Sequence, residues 1–157
     1  MSLTSIFSSI LLEVKVKSEE RIKFPKYDMV LDGHTYTIEP IVPLTHTASC
    51  KYGADSKWCT AVPSNNQHFK SYTEKGLLVY FLIIEQGHLL TKFAMEVNDK
   101  SFQGIFWDME DKPINLTDDT FESRFVLRLS NTESFKEMMS KLKSIKSDLK
   151  EKKLQIE

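Results

Sequence analysis

The sequence has few cysteines, almost no net charge and no long apolar run, and each shortage excludes a class of protein. Its two cysteines, Cys50 and Cys59, are too few for a disulfide framework. The 21 basic and 22 acidic residues leave a net charge of −1, which excludes a strongly basic nucleic-acid binder but not a local basic patch. The longest apolar run, residues 77–84, has the length of a strand, so we expect no membrane-spanning helix.

Motifs of the common enzyme classes are also missing. The chain contains no Cys-x-x-Cys pair, no glycine-rich phosphate loop, no serine nucleophile elbow and no His-Glu-x-x-His sequence. We therefore expect no cofactor and no metal site, and the sequence alone does not decide whether the chain is an enzyme.

The length and composition indicate one soluble domain spanning residues 1–157. With 41% apolar and 27% charged residues, a chain of this size can bury its own core. The first residues lack a basic region and a small-residue cleavage site, so we expect no signal peptide and a cytoplasmic location. We interpret residues 1–3 as vector-derived and expect residues 151–157 to be frayed.

The first half of the chain predicts a helix over residues 4–17 and then a hairpin. Two β-prone runs flank Asp32 and Gly33, and Asp-Gly between such runs is a strong hairpin signal. Pro40 and Pro43 are expected to stop the second strand.

A helix–strand–helix segment is predicted next. Thr45 is a suitable N-cap for a helix over residues 44–52, and Gly53 suits a left-handed position after it. Residues 57–62 are predicted to form a short strand. A helix capped by Ser64 or Asn65 then extends to Gly76.

The remaining pattern predicts a three-stranded meander and two helices. Residues 77–84 are apolar on both faces, residues 89–97 alternate, and residues 102–109 form the third strand. One helix opens at residues 117–119. Ser130 and Glu133 match a capping box before a second, longer helix. An apolar stripe on that helix is expected to cover the sheet; it consists of Phe135, Met138, Met139, Leu142, Ile145 and Leu149.

The predicted fold class is therefore α+β. We expect a mostly antiparallel sheet, made of the N-terminal hairpin and the three-strand meander, covered by helices and ending in a long C-terminal helix.

Residues 48–61 read ASCKYGADSKWCTA, and this segment resembles a motif of tailed-phage proteins that have no established activity. In that family a helix ending in Tyr-Gly precedes a Thr-Lys-Trp-Cys-Thr segment, a Phe-x-x-Tyr helix, a glycine and an apolar strand. The similarity extends over about residues 43–112 of this chain, with Ser56 where threonine is usual. The resemblance implies a phage origin and a shared fold, and it assigns no catalytic residue.

Cys59 has two interpretations. A free cysteine in a β-prone run is typically buried and inert, which is the interpretation we favour. The alternative makes Cys59 a nucleophile, with His46 or His68 as its base and Asp55 orienting that base. His46, Cys50, Cys59 and His68 also form a candidate zinc set, but close cysteine pairs are missing.

Two charged groups of residues are expected to be solvated. The acidic group is formed by Asp108, Glu110, Asp111, Asp118 and Asp119, in a turn and at a helix start. The lysines of the C-terminal helix alternate with acids, a pattern typical of an exposed face.

The predicted function is that of a small phage accessory protein, which binds a protein partner in the bacterial cytoplasm. Candidate contact residues are Trp58, Tyr72, Trp107 and Asp108. The alternative is an enzyme centred on Cys59 and His46, of the hydrolase or the nucleotidyl- or ADP-ribosyl-transferase type. We expect no membrane partner, and the oligomeric state stays open.

Overall fold

The computed structural model describes residues 21–98 and 104–156, and for residues 148–156 it describes the backbone alone. The predicted helix over residues 4–17 and the predicted turn after Asn98 lie outside the described residues.

The strands among the described residues are β1 Arg21–Lys23, β2 Tyr27–Leu31, β3 His34–Pro43, β4 Gly76–Glu85, β5 His88–Asn98 and β6 Gly104–Trp107. These six strands form one antiparallel sheet with the order β1-β3-β4-β5-β6, and β2 pairs with the first half of β3. The helices are α1 His46–Tyr52, α2 Gln67–Lys75, α3 Phe121–Ser130 and α4 Glu133–Ile156. This architecture confirms the predicted α+β class.

The hairpin between β2 and β3 turns at Asp32 and Gly33, as predicted, and both residues have positive φ, 52° and 80°. The prediction that Pro40 stops the strand was wrong, because β3 continues to Pro43. The Pro40 carbonyl accepts a hydrogen bond from the Phe24 N–H at 3.1 Å. In an antiparallel strand one residue's N–H and C=O point to the same side, so the missing N–H of Pro40 faces the break between β1 and β2.

Strand β4 is the centre of the sheet and is buried on both faces, as its composition predicted. Leu77, Val79, Phe81 and Ile83 belong to the core on the face covered by α3 and α4. Leu78 and Tyr80 belong to a second core on the opposite face. The second core is covered by α1, α2 and a short 3-10 turn, Cys59–Ala61.

Helix α4 covers the first face with its apolar stripe. Phe135, Met138 and Leu142 are buried, and the Phe135 ring lies 6.1 Å from the rings of Phe81 and Phe106. Over the residues whose side chains are described, the stripe thus packs within the monomer, as predicted.

The helix starts differ from prediction at two places. Helix α3 begins at Phe121, where the Thr120 hydroxyl accepts a hydrogen bond from the Ser123 N–H at 3.1 Å. The predicted Ser130 capping box was wrong, since Ser130 ends α3 and donates to the Val126 carbonyl at 2.8 Å. Thr132 takes its place, because its hydroxyl accepts from the Phe135 N–H. Only two residues, Asn131 and Thr132, separate the two helices, so Ser130 lies inside the first one.

The predicted strand over residues 57–62 is instead a loop with the 3-10 turn. Gly53 is not left-handed either, with φ −92°. A Cβ there would lie 2.7 Å from the Ala61 Cβ and 3.2 Å from the Trp58 ring, so glycine permits close packing rather than an unusual backbone. The predicted N-cap Thr45 is confirmed, since its hydroxyl accepts from the Ala48 N–H.

Candidate functional site

Two loops contact each other at one edge of the second core. The loop after α1 contacts the turn after β6 through the Lys57 N–H, which donates to the Met109 carbonyl at 2.8 Å. An ion pair between Lys57 and Glu110 adds an exposed contact of small energetic value. Each loop contains an aspartate in the left-handed region, Asp55 with φ 68° and Asp111 with φ 64°.

Trp58 connects these two loops to the second core. Its side chain is only 3% exposed, and its ring lies 4.7 Å from the Tyr80 ring. Its indole N–H donates to the Asp108 carbonyl at 2.7 Å. The predicted core position of Trp58 is therefore confirmed.

A buried hydroxyl network holds the 3-10 turn beneath the loops. Tyr80 Oη lies 2.6 Å from Ser49 Oγ and 2.7 Å from Thr60 Oγ1, and Ser49 Oγ donates to the Thr60 carbonyl at 2.7 Å. Burial raises the pKa of Tyr80 to about 12, against the lowering effect of both hydroxyls. This network is satisfied and has a positioning role.

A cleft of about 60 Å³ lies between α2, the 3-10 turn and strands β5 and β6. We name it the Trp107 cleft. Its polar and aromatic lining consists of Trp58, Cys59, Thr60, Tyr72, Glu96, Trp107 and Asp111. The structure thus brings together Cys59, Trp58, Tyr72 and Trp107, four residues that the sequence singled out, although their positions are up to 49 residues apart.

Glu96 and Asp111 give the Trp107 cleft its charge. Burial, and then the Asp111 carboxylate, raise the pKa of Glu96, while Trp107 and Tyr72 lower it by a smaller amount. Burial and then Asp108 raise the pKa of Asp111, and His68 acts in the opposite direction. Both carboxyl groups are therefore less acidic than usual, first because burial reduces their hydration and then because a neighbouring aspartate, Asp111 for Glu96 and Asp108 for Asp111, repels their charge.

The Trp107 indole contributes a hydrogen-bond donor without a well-aligned partner among the described residues. Its Nε1 atom is buried, and among the described residues it has no partner with hydrogen-bond geometry. A buried donor without a partner is unusual and costs free energy. The donor is close enough to Glu96 to lower the pKa of that carboxyl, yet it is not satisfied by it.

Cys59 shows no sign of activation as a nucleophile. Burial, followed by the charge of Asp111, raises the pKa of its thiol, with Glu96 adding to the effect. Nucleophilic cysteines instead have lowered pKa values, produced by cationic neighbours or helix N-termini. Its side chain is half-buried rather than fully enclosed.

His46 does not line the Trp107 cleft. Its Nε2 lies 3.4 Å from Cys50 Sγ and 2.9 Å from the Val62 carbonyl oxygen, and it lines an open polar groove with residues 63–67. Of the candidate zinc set, His46 and Cys50 are thus in contact, whereas Cys59 lines the Trp107 cleft. Within residues 21–98 and 104–147, no group of three or more His, Cys, Asp or Glu side chains is arranged to hold a metal ion.

The remaining candidate residues are Asp55, His68 and Asp108, and each interacts with other groups of the protein. Asp55 lies near Lys92, whose ammonium donates to the Ala54 carbonyl at 2.9 Å. His68 acts on the Trp107 cleft only through its charge effect on Asp111. The Asp108 carboxylate accepts hydrogen bonds from the N–H groups of Glu110 and Lys112, which makes it a turn-forming residue.

Glu96 is the site residue that sequence reasoning missed. The alternating pattern of residues 89–97 puts Glu96 on the polar face of a half-buried strand, together with Lys92. In the structure α1, α2 and the 3-10 turn cover that face, and Lys92 is only 5% exposed. A glutamate on a strand carries no signal of its own, so only the position of the covering elements identifies it.

Comparison of the chain with models of known protein families, with curated proteins and with solved structures finds no match. None of the described helices has both the length and the apolar character needed to cross a membrane.

Proposed function

We propose that the chain is a binding module that recognises a protein partner through the Trp107 cleft. The observation that carries this proposal is the convergence of Tyr72 and Trp107 with two carboxyl groups of raised pKa in one cleft. Aromatic side chains are enriched at protein interfaces because they combine large apolar area with a polar atom.

The size of the cleft favours part of a macromolecule over a free small ligand. Pockets for drug-sized molecules usually measure about 300–1,000 Å³. A space of about 60 Å³ accommodates one functional group. A partner that inserts one group and contacts the surrounding loops fits this geometry. The similarity to tailed-phage proteins adds the proposal that this partner is met in the cytoplasm of an infected bacterium.

The enzyme alternative has one supporting observation, which is that Cys59 lines a concave cleft. Two observations oppose it. The thiol pKa is raised by burial and by Asp111, and His46 contacts Cys50 and lines another groove. A cysteine nucleophile needs a base within hydrogen-bond reach and a stabilised thiolate, so binding is the better-supported function.

The proposal is tested with immobilised wild-type chain, Tyr72→Ala and Leu127→Ala as baits for lysate of phage-infected cells. Tyr72 lines the Trp107 cleft, whereas Leu127 is 46% exposed on α3, which covers the opposite face of the sheet. Unchanged circular dichroism establishes that both variants are folded. We expect quantitative mass spectrometry to identify a protein retained by wild type and Leu127→Ala but lost on Tyr72→Ala.

That protein, once purified, should bind wild type directly and bind Tyr72→Ala at least about tenfold more weakly, a difference of about 1.4 kcal/mol. Cys59→Ser should bind as wild type does. A set of retained proteins that is identical on all folded baits would refute the proposal.

A further inference from the structure

We propose that the Trp107 cleft receives a cationic side chain of the partner, its ammonium or guanidinium group lying beside Glu96 and Asp111. This inference rests on the proposed binding function and specifies the chemistry of the group that is bound. Three features of the cleft lead to it: its charge, its aromatic lining and its size.

The two carboxyl groups of the cleft have no paired lysine or arginine among the described residues. Over residues 21–98 and 104–147, no lysine or arginine lines the cleft or forms an ion pair with Glu96 or Asp111. Two lysines of the adjoining segments interact elsewhere, since Lys57 pairs with Glu110 and Lys92 donates to the Ala54 carbonyl. His68 is the imidazole that faces Asp111, and Asp108 adds further negative charge there.

Electrostatic repulsion among the acidic groups of the cleft would be relieved by one bound positive charge. Each carboxylate makes ionisation of its neighbours harder, including the Cys59 thiol and the Tyr72 hydroxyl. A bound cation interacts favourably with both carboxylates, and partial burial strengthens this interaction relative to water. A neutral or anionic group would leave the repulsion in place or increase it.

The aromatic lining and the small volume fit the same ligand. Ammonium and guanidinium groups are attracted to tryptophan and tyrosine rings, and Tyr72 and Trp107 both line the cleft. The volume of about 60 Å³ is a few times the roughly 10–15 Å³ that a cavity needs to hold one water molecule. One charged head group fits this space, and a nucleotide does not.

The two tryptophans provide a direct test by nuclear magnetic resonance. The chain has two indole N–H groups, one donating to the Asp108 carbonyl from Trp58 and one without a described partner on Trp107. The ¹⁵N-labelled full chain is titrated with methylammonium chloride and with methylguanidinium chloride. Methylurea, a neutral molecule of similar shape, is the matched control.

We expect a saturable shift of the Trp107 indole signal with at least one cation, a much smaller shift of the Trp58 signal, and no saturable shift with methylurea. The cation that binds more tightly distinguishes a lysine-like from an arginine-like group. Glu96→Gln and Asp111→Asn should each weaken binding about tenfold, the scale of a hydrogen bond to a charged group. Glu122→Gln, on α3 of the opposite face, should not change it.

Two results separate the inference from the proposed function. If neither cation shifts the Trp107 signal saturably, or methylurea shifts it equally, the cation inference is overturned. The binding module would still stand if Tyr72→Ala lost a protein that wild type retains. Conversely, saturable cation binding without any cleft-dependent protein would support the inference about the group and overturn the protein-partner function.

Discussion

Replacing Trp58 is the sharpest test of how the site is held together. The side chain is almost fully buried, packs on Tyr80 and connects the two loops through its hydrogen bond to the Asp108 carbonyl. Trp58→Ala should therefore lower the free energy of unfolding by about 3–5 kcal/mol, the usual cost of truncating a buried aromatic side chain. A domain of this size is typically stable by about 5–15 kcal/mol, so we expect the variant to remain folded enough to measure.

Phenylalanine variants separate ring burial from the hydrogen bond. Trp58→Phe keeps a ring against Tyr80 but leaves the Asp108 carbonyl without its donor, at a cost of about 1–3 kcal/mol. Trp107→Phe removes a donor that has no described partner, so it should cost less. The difference between these two variants reports the hydrogen bond of Trp58.

Urea denaturation followed by circular dichroism measures these effects. With a slope of about 1–3 kcal/mol per molar urea, Trp58→Ala should lower the midpoint by about 2 M. An unchanged midpoint for Trp58→Ala, or a larger loss for Trp107→Phe than for Trp58→Phe, would refute the reasoning.

Three further predictions concern the thiol, the long helix and the acidic cleft. Cys59 should react slowly with a thiol reagent in the native chain and quickly in urea, because its pKa is raised and its access is restricted; fast native labelling, mapped by mass spectrometry, would favour the enzyme alternative. Leu142→Ala should cost about 2–5 kcal/mol in urea denaturation, since Leu142 is fully buried, whereas deletion of residues 151–157 should cost less than about 0.5 kcal/mol; two neutral results would contradict burial of the stripe. The pKa of Glu96 is raised in the folded chain, so its stabilising contribution is complete below its ordinary value of 4.5 and is lost as the pH rises through the folded value. Glu96→Gln should accordingly raise the urea midpoint at pH 7 and change it little at pH 4, and a lower midpoint at pH 7 would count against this.

The candidate site was predictable in part. Trp58, Cys59, Tyr72 and Trp107 were chosen from residue type and local pattern, and all four line one cleft. Pairing of Cys59 with His46 was open from the sequence, because it depends on the path of the chain after α1. The loop places Cys59 in the cleft, while His46 stays beside Cys50, one helical turn away.

Local patterns sufficed where neighbouring residues determine the conformation. Asp32-Gly33 predicts its turn because both positions need positive φ, and residues 77–84 predict a central strand because both faces are apolar. The C-terminal stripe predicts helix α4 because its period is that of a helix. Each of these signals is formed by residues that are close together in the chain. The sequence by itself therefore determined the turn, the strand and the helix.

Tertiary structure decided what depends on distant segments. Residues 57–62 have a β-prone composition, yet the hydrogen bond of Trp58 to Asp108 and the close contact of Ala61 with Gly53 hold them as a loop. Glu96 lies on a strand face that is solvated or covered according to where α2 and the 3-10 turn pack. The pKa of its carboxyl is raised by burial and by Asp111, and both causes arise only when strands, loops and helices are assembled. Burial and charge proximity are properties of three-dimensional distance, which a linear pattern does not contain.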